Sequence, residues 1–330
     1  MKRTVRYAAK SAGSQVLRER NRFTQPTLLE RRQGQLPARA DMRSRPPAVN
    51  ATGTGRRIAA RRPPGGKKIA FGWYGGKFSH LDFILPHIPV DAGHFCDVFG
   101  GSAAVLLNRP PAPVETYNDL DSDLVNFFET LRDDGDRLIR AIGLTPFSRE
   151  ELVRSCEPEA DLSRLERARR FYVRARQTRT GLAQTSSEGR WAHCVLTSRA
   201  GMAGAVSRWL GSVEGLPEIV QRLLRVQIEN APAAEVIRRY DTEATVFYLD
   251  PPYVHSSRGD RAAYGYEMSD RDHEELARIL HTIRGRAILS GYRTPFYDEL
   301  YAGWRRVDAP EKTCHSVRTT RQESLWINFP

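Results

Sequence analysis

The sequence predicts an α/β fold built on a doubly wound, mostly parallel sheet. Apolar runs rich in β-branched and aromatic residues, such as "TVFYL", alternate along the chain with amphipathic stretches of helical period. This alternation is typical of parallel sheets that carry helices on both faces. The chain has 330 residues, of which 40% are hydrophobic, and this is enough for a substantial core.

The first 66 residues are predicted to form a disordered basic arm. They contain 16 Lys/Arg against 3 Asp/Glu, and no structural period is sustained in them. Such an arm can bind phosphates, but a solvated leader or an Arg-rich organelle transit peptide would have the same composition. It lacks the apolar core of a secretory signal, and no apolar run reaches the roughly 18 residues that a membrane span needs. We therefore expect a cytoplasmic protein with no membrane partner.

A strand–helix alternation begins at Ile69 and predicts a sheet domain over residues 67–143 and 216–330. A glycine-rich loop and a short helix, "IAFGWYGGKFSHLDFILPHIP", come first. The strands "GHFCDVF" and "VETYN" and the amphipathic helix "DSDLVNFFETLRDDGDRLIRAI" follow. The alternation returns with "LLRVQIE", "PAAEVIRRY", "TVFYLD", "DRDHEELARILHTIR", "RAILSGY", "WRRVDA" and "ESLWINF".

Residues 144–215 interrupt the alternation and are predicted to be a mainly helical insertion. Within them, residues 164–209 contain 10 arginines and 2 acidic residues, whereas the rest of the chain after residue 66 is net acidic. A basic block in an acidic body indicates a surface for a polyanion such as nucleic acid.

Two motifs at strand ends indicate a ligand site. In "DVFGGSAAVLL", a glycine pair joins a strand to a helix, and such a turn lets a ligand approach the backbone closely. The turn lacks the third glycine of the dinucleotide fingerprint, which makes a nucleotide-dependent dehydrogenase a remote reading. About 20 residues later "YND" closes the second strand, so Asp119 is placed either to bind ribose hydroxyls or to cap the next helix.

Two loops, "FGWYGGK" and "LDPPY", add aromatic, basic and acidic groups. The first suits a loop laid over a ligand, although a domain-start loop with a core tryptophan has the same composition. In the second, prolines end the strand because they lack an amide donor and fix φ. Asp250 therefore lies at the carboxyl edge, where open α/β sheets bind ligands. The alternative is a solvated acid in a proline turn.

Taken together, "WYGGK", "DVFGGSAAV", "YNDLDSDLVNFFETLR", "LDPPY", "YEMSDRDHEEL" and "AILSGY…YDELY" resemble the DNA adenine N6-methyltransferases of the DNA adenine methylase type. The resemblance runs from about Phe71 to the C-terminus. It implies a Rossmann-like methyltransferase fold, S-adenosylmethionine as cofactor, and an inserted segment that recognises the DNA target. The implied cofactor-binding residues are Trp73, Tyr74, Lys77, Asp97, Phe99, Gly100, Gly101, Ser102, Asp119 and Asp250. The implied catalytic residues are Asp250, Pro251, Pro252 and Tyr253.

The implied chemistry is methylation of the adenine amino nitrogen, which is a poor nucleophile. The Asp250 carboxylate and the Pro251 carbonyl are expected to accept its N–H bonds, and Tyr253 is expected to stack on the flipped base. No metal is required, and the His and Cys residues have no metal-ligand spacing.

The residues expected to contact DNA are Arg174, Arg176, Arg179, Arg190, Arg199, Arg258 and Tyr264.

Two departures from the family pattern keep other readings open. The family usually has glycine at the place of Ala103 and often an acid at the place of Ala231, where Asn230 is a candidate substitute. A catalytically silent DNA-binding or anti-restriction protein of the same fold is one alternative. A methyltransferase acting on cytosine N4 or on RNA is another, although an acid at 250 favours adenine in DNA.

The expected partner is double-stranded DNA. In a restriction-modification or DNA-protection role, a cognate restriction endonuclease is a further expected partner. The chain is expected to be a monomer or a weak dimer.

Overall fold

The computed structural model describes residues 66–179, 183, 190–254, 267–310, 312–313 and 320–330. The predicted basic arm, apart from Gly66, lies outside the described residues, and so do the predicted DNA contacts Arg258 and Tyr264. None of the helices within the described ranges is long and apolar enough to span a membrane.

The elements follow the predicted alternation. The strands are β1 (His94–Asp97), β2 (Val114–Asn118), β3 (Ser198–Arg199), β4 (Met202–Ala203), β5 (Gln227–Glu229), β6 (Thr245–Leu249), β7 (Arg286–Tyr292), β8 (Arg305–Asp308), β9 (Lys312–Thr313), β10 (Thr320–Arg321) and β11 (Glu323–Ile327). The α-helices are α1 (Leu81–Ile84), α2 (Ala104–Asn108), α3 (Ser122–Asp133), α4 (Gly135–Leu144), α5 (Arg149–Cys156), α6 (Arg164–Gln177), α7 (Gly204–Glu214), α8 (Leu216–Leu223), α9 (Ala233–Tyr240), α10 (Asp270–Leu280) and α11 (Pro295–Leu300). Short 3-10 helices at Lys77–His80 and Leu85–His87 flank α1.

Seven strands form one sheet in the order β5-β2-β1-β6-β7-β11-β8. The pairs from β5 to β7 are parallel, and β11 runs antiparallel to both of its neighbours, β7 and β8. The chain leaves β1 toward β2 on one side and leaves β6 toward β7 on the other. The adjacent carboxyl ends of β1 and β6 therefore form a topological switch point, where sheets of this kind bind ligands. The observed sheet confirms the predicted fold class.

The central strand β6 explains why its sequence carries no charge. All five of its residues are buried. Val246 and Tyr248 belong to one apolar cluster, whereas Phe247 and Leu249 belong to another. Because side chains alternate across a strand, the two clusters cover opposite faces of the sheet.

The predicted insertion, residues 144–215, contains α5, α6 and α7 and the β3–β4 hairpin. Helix α6 places Phe171 and Tyr172 against the aromatic side chains of the sheet domain. The ring centroids of Phe171 and Phe71 lie 5.4 Å apart, and those of Tyr172 and Phe127 lie 5.5 Å apart in a stacked pair. The insertion therefore shares a core with the sheet domain, and its role in target recognition stays a prediction.

Candidate active site at the carboxyl edge of the sheet

One cavity lies at the carboxyl ends of β1, β2 and β6, at the switch point of the sheet. Every residue for which the sequence predicts cofactor binding lines this cavity: Trp73, Tyr74, Lys77, Asp97, Phe99, Gly100, Gly101, Ser102, Asp119 and Asp250. Pro252 lines it as well, whereas Pro251 and Tyr253 do not. The structure thus brings these residues together, and their binding roles remain predictions.

The glycine turn after β1 is shaped by packing and by backbone conformation. A Cβ atom on Gly100 would lie 2.1 Å from the ring of Tyr117, so only glycine fits there. Gly101 has a φ of +50°, in the left-handed region that glycine adopts without strain. Ala103 has a φ of 56° and is fully buried, so the position where the family usually has glycine still adopts a glycine-like backbone. The turn therefore forms in spite of this departure from the family pattern.

Asp119 ties the end of β2 to the glycine turn. Its carboxylate accepts hydrogen bonds from the amide of Gly101 at 2.9 Å and from the amide of Asp121 at 2.9 Å. The cap of α3 is Asp121, whose side chain accepts from the amides of Asp123 and Leu124, so the capping role considered for Asp119 is wrong. Burial raises the pKa of Asp119 to about 6, although these amides act against the rise.

Asn230 does not reach the cavity. Its side-chain amide donates to the backbone carbonyl of Asp119 at 2.8 Å, and neither Asn230 nor Ala231 is among the lining residues. Asn230 therefore supports the Asp119 loop from behind, and its predicted substitution for a cofactor-binding acid is untested.

Asp97 is the most deeply buried acid of the cavity, with 1% of its surface exposed. Its Oδ1 atom has no hydrogen-bond partner among the described residues. Burial, and then the nearby charges of Asp250 and Asp119, raise the pKa of Asp97 to about 8. Four acidic residues, Asp97, Asp119, Asp250 and Glu267, line this cavity, which favours a ligand that brings positive charge or hydrogen-bond donors.

Asp250 is held by Lys77, from the start of the 3-10 helix that follows the "WYGG" loop. The Nζ atom of Lys77 lies 2.8 Å from Oδ1 of Asp250 and donates to the carbonyl of Gly75 at 3.1 Å. Burial raises the pKa of Asp250 to about 6, and the ammonium of Lys77 opposes this rise. With its pKa raised in this way, the Asp250 carboxylate is a stronger base than an exposed aspartate, and such a group can accept a proton.

Tyr253 packs inside the protein, behind Asp250. Its hydroxyl donates to Oε1 of Glu323 at 2.7 Å, its ring lies edge-on to Tyr292 with 4.5 Å between centroids, and the Lys77 ammonium lies 4.7 Å from its ring centroid. Only 5% of Tyr253 is exposed. The predicted stacking of this ring on a base is not tested by this geometry.

Sequence reasoning missed Glu323 and Ser290. Glu323 begins β11, where its carboxylate accepts from the hydroxyl of Ser290 at 2.6 Å, and 4% of it is exposed. The only local sign of Glu323 was its place as the first residue of the predicted strand "ESLWINF". A glutamate at that place is equally typical of a strand end that is exposed to solvent. The site contact arises because β11 pairs with β7, which sets Glu323 opposite Tyr292.

The predicted DNA-contacting arginines fall into different environments. Arg174 pairs with Asp123 at 2.8 Å and donates to the carbonyl of Ser155. Arg176 is half-buried and donates to the carbonyl of Arg208 at 3.0 Å. Arg179 is exposed beside His193, Arg190 is half-buried, and Arg199 is exposed on the β3–β4 hairpin. These roles remain predictions.

Known proteins resemble this chain over most of its length. The chain is 25% identical over 263 residues to a Type II methyltransferase, M1.LlaDCHI, of Lactococcus lactis subsp. cremoris, and the match covers 76% of this chain and 87% of that protein. Among solved structures, a putative methyltransferase, yhhF, of Escherichia coli matches with a TM-score of 0.28 and 12% identity, over 76% of this chain and 82% of that one.

A family model also matches, over residues 73–315. That range runs from the loop of Trp73 and Lys77, through the glycine turn and the insertion, to the segment beyond Asp250. It is more than half of the chain, and it contains every acid that borders the cavity. The chain therefore belongs to the D12 class of N6 adenine-specific DNA methyltransferases.

Proposed function

We propose that this protein transfers a methyl group from S-adenosylmethionine to the N6 amine of an adenine flipped out of DNA. The observation that carries the proposal is the meeting of Asp250 with the glycine turn and Asp119 at one cavity. A proton-accepting group and a nucleotide-type binding turn then border the same space. The family membership supports adenine in DNA as the substrate.

The acids of the cavity fit this cofactor. S-adenosylmethionine supplies a methyl group bound to a positively charged sulfur, and it also carries hydroxyl and amino donors. The buried Oδ1 of Asp97, which has no partner among the described residues, offers an acceptor to such a ligand. Asp119 would accept ribose hydroxyls, and the indole of Trp73 and the ring of Phe99, which also line the cavity, would form apolar walls around the ligand.

Asp250 would accept an N–H bond of the adenine amine and thereby direct the nitrogen lone pair toward the methyl carbon. As the lone pair forms the new nitrogen–carbon bond, the carbon–sulfur bond breaks and its electron pair stays on sulfur. The amine then loses one proton, which Asp250 accepts, so the methylated nitrogen ends neutral. The rise of the pKa of Asp250 to about 6 supports this role. Most of the acceleration would come from alignment and electrostatics.

Ion pairing separates the arginines of the insertion into two groups. Five arginines of α6 pair with nearby acids: Arg164 with Glu129, Arg167 with Asp123, Arg169 with Glu151 and Glu166, Arg170 with Glu159 and Glu166, and Arg174 with Asp123. Acids that are already this close compete with phosphate for these guanidinium groups. We therefore propose that these arginines mainly support the fold.

A second cavity is lined by basic residues that form no ion pair with the described acids. Its lining includes Arg176, Arg179, His193 and Arg208, and Trp73 lines both this cavity and the cofactor cavity. The Nε atom of Arg176 is buried and has no hydrogen-bond partner among the described residues. We propose that these groups bind backbone phosphates of DNA next to the target base.

A role in protecting DNA against a cognate restriction endonuclease is part of the proposal. It is supported by the similarity to a protein named as a Type II methyltransferase. Selective protection of one sequence can be achieved by direct contacts to base edges, and the exposed Arg199 on the β3–β4 hairpin is a candidate for such a contact.

The test is a mass-spectrometric count of methylated nucleosides after unmethylated, mixed-sequence DNA is incubated with the protein and S-adenosylmethionine. An Asp250→Asn variant, which keeps the shape of the acid, is the matched control. N6-methyladenine with the wild type and not with the variant is the expected result. N4-methylcytosine, or a methylated product only with RNA, would overturn the substrate. Absence of cofactor binding in calorimetry would instead favour a catalytically silent DNA-binding protein.

A further inference from the structure

A buried carboxylate behind the active site has no part in the reaction as described so far. Glu323 does not line the cavity, and 4% of it is exposed. One of its oxygens, Oε1, accepts hydrogen bonds from the hydroxyl of Tyr253 at 2.7 Å and from that of Ser290 at 2.6 Å. An effect of Glu323 on the substrate must therefore pass through other side chains.

The first link is electrostatic and passes through Lys77. The Nζ atom of Lys77 lies 2.8 Å from Oδ1 of Asp250 and 3.7 Å from Oε1 of Glu323. One ammonium group thus lies between two carboxylates in a region shielded from water, where Coulomb interactions are stronger than at the surface. If Glu323 were neutral, it would no longer compete with Asp250 for the Lys77 ammonium, which would then hold the negative charge of Asp250 more tightly.

The second link is steric and passes through Tyr253. A hydroxyl that donates to a buried carboxylate fixes the plane of its ring, because the charge strengthens the hydrogen bond. The same ring lies under the Lys77 ammonium, 4.7 Å from it. Glu323 therefore contacts both residues that border Asp250 from behind.

We propose that Glu323 is a positioning residue for methyl transfer, which shares the Lys77 ammonium with Asp250 and so keeps Asp250 able to accept the proton of the adenine amine. The inference rests on the proposed function. A merely structural role is a weak account of Glu323, since the hydroxyl groups of Tyr253 and Ser290 need only a neutral acceptor, and a buried charge is costly unless it is paired.

The sign of the expected effect follows from the charges around Asp250. Lys77, Asp97, Glu323, Tyr248 and Tyr253 all face it. The negative charge of Glu323 raises the pKa of Asp250, and the positive charge of Lys77 lowers it. A neutral residue at 323 therefore lowers this pKa and makes Asp250 a weaker base.

The test is the pH dependence of kcat for Glu323→Gln, with S-adenosylmethionine and DNA at saturating concentrations. We expect the acid limb of the profile to move to lower pH and kcat at its plateau to fall about tenfold. The KM values for DNA and cofactor should stay within about twofold, since Glu323 does not line the cavity. Glu323→Asp returns the charge, and its acid limb should return toward that of the wild type.

A matched control is Glu115→Gln, the same substitution at a buried glutamate of β2 that pairs with Arg109 and Arg222. It should lower the melting temperature and leave the acid limb in place. An unshifted acid limb in Glu323→Gln would overturn the inference, and so would a shift of equal size in Glu115→Gln. If Glu323→Gln does not fold, Glu323→Asp becomes the test. This variant keeps the negative charge, so its acid limb should lie close to that of the wild type. A large displacement of that limb to lower pH would also overturn the inference. A wild-type protein that makes no N6-methyladenine signals failure of the proposed function instead.

Discussion

Lys77 and Asp250 form an ion pair at the carboxyl edge of the sheet, with 2.8 Å between Nζ and Oδ1. Only 5% of the Lys77 side chain and 16% of the Asp250 side chain are exposed, so solvent screens this pair weakly. Burial raises the pKa of Asp250 to about 6, while Lys77 acts in the opposite direction. The pair thus controls the proton affinity of the acid proposed to take the substrate proton.

Replacing Lys77 should shift the pH profile of methylation upward. Lys77→Met keeps most of the length of the side chain and removes the charge that lowers the pKa of Asp250. This pKa then rises, and the acid limb of kcat moves to higher pH, opposite in direction to the shift expected for Glu323→Gln. The measurement is kcat across pH 5 to 9 at saturating cofactor. An acid limb that stays in place would show that Lys77 does not set the protonation of Asp250.

The stability of the ligand-free protein should fall between pH 6 and pH 8 because of Asp97. Its pKa is about 8 in the folded protein, against about 4 in an unfolded chain, so the folded state retains a proton that the unfolded state has lost. The stability from this proton is fully present below about pH 4 and is lost as pH rises through 8. Melting temperature against pH should therefore be flatter for Asp97→Asn than for the wild type. Asp119 and Asp250, with pKa values of about 6, contribute mainly below this window.

Gly100→Ala should destabilise the glycine turn strongly. The new methyl carbon would lie 2.1 Å from the ring of Tyr117, which is fully buried and cannot move away freely. Overpacking of this kind costs about 1–3 kcal/mol or more of unfolding free energy. Urea titration measures the loss, with Gly72→Ala as the control, because nothing lies within 4 Å of a Cβ at Gly72. Equal stability of the two variants would contradict the packing argument.

Arg179→Gln and Arg208→Gln should weaken DNA binding at every sequence by similar factors. Each substitution removes a charge from the basic cavity, so the slope of log affinity against log salt should fall by about one per arginine that contacts a phosphate. Fluorescence anisotropy of labelled duplexes across a salt series gives this slope. Arg164→Gln is the control from α6, because Arg164 already pairs with Glu129 at 2.8 Å. If all three variants give the same slope, charge pairing does not separate DNA contacts from fold contacts.

The parts of the site that follow a strand directly in the chain were predictable from the sequence. Gly100, Asp119 and Asp250 each lie just beyond the end of a strand, and parallel strands bring their carboxyl ends to one edge. Local patterns therefore placed all three at the same cavity. The prediction rested on the strand ends and on the family resemblance, and the structure adds the strand order β2-β1-β6 that makes these ends adjacent.

The parts that depend on distant pairing were not predictable. Glu323 reaches Tyr253 across 70 residues, and only the antiparallel pairing of β11 with β7 brings it there. In the same way, Arg174 pairs with Asp123, which lies 51 residues away in the chain. Composition alone therefore does not distinguish Arg174 from an arginine that has no acidic partner. A count of charges shows that the insertion is rich in basic residues. The ion pairs in the structure show which of these residues already have an acidic partner.

The shared aromatic cluster limits how this enzyme can be re-engineered. Phe171 of α6 lies against Phe71 and also against Trp73, whose ring centroid is 6.1 Å away. A chimaera that exchanged residues 144–215 as a cassette would cut through this cluster and disturb the Trp73 loop, which lines the cavity at the carboxyl edge of the sheet. The exposed positions of the β3–β4 hairpin, for which we propose base contacts, lie outside the cluster and can be changed without cutting through it.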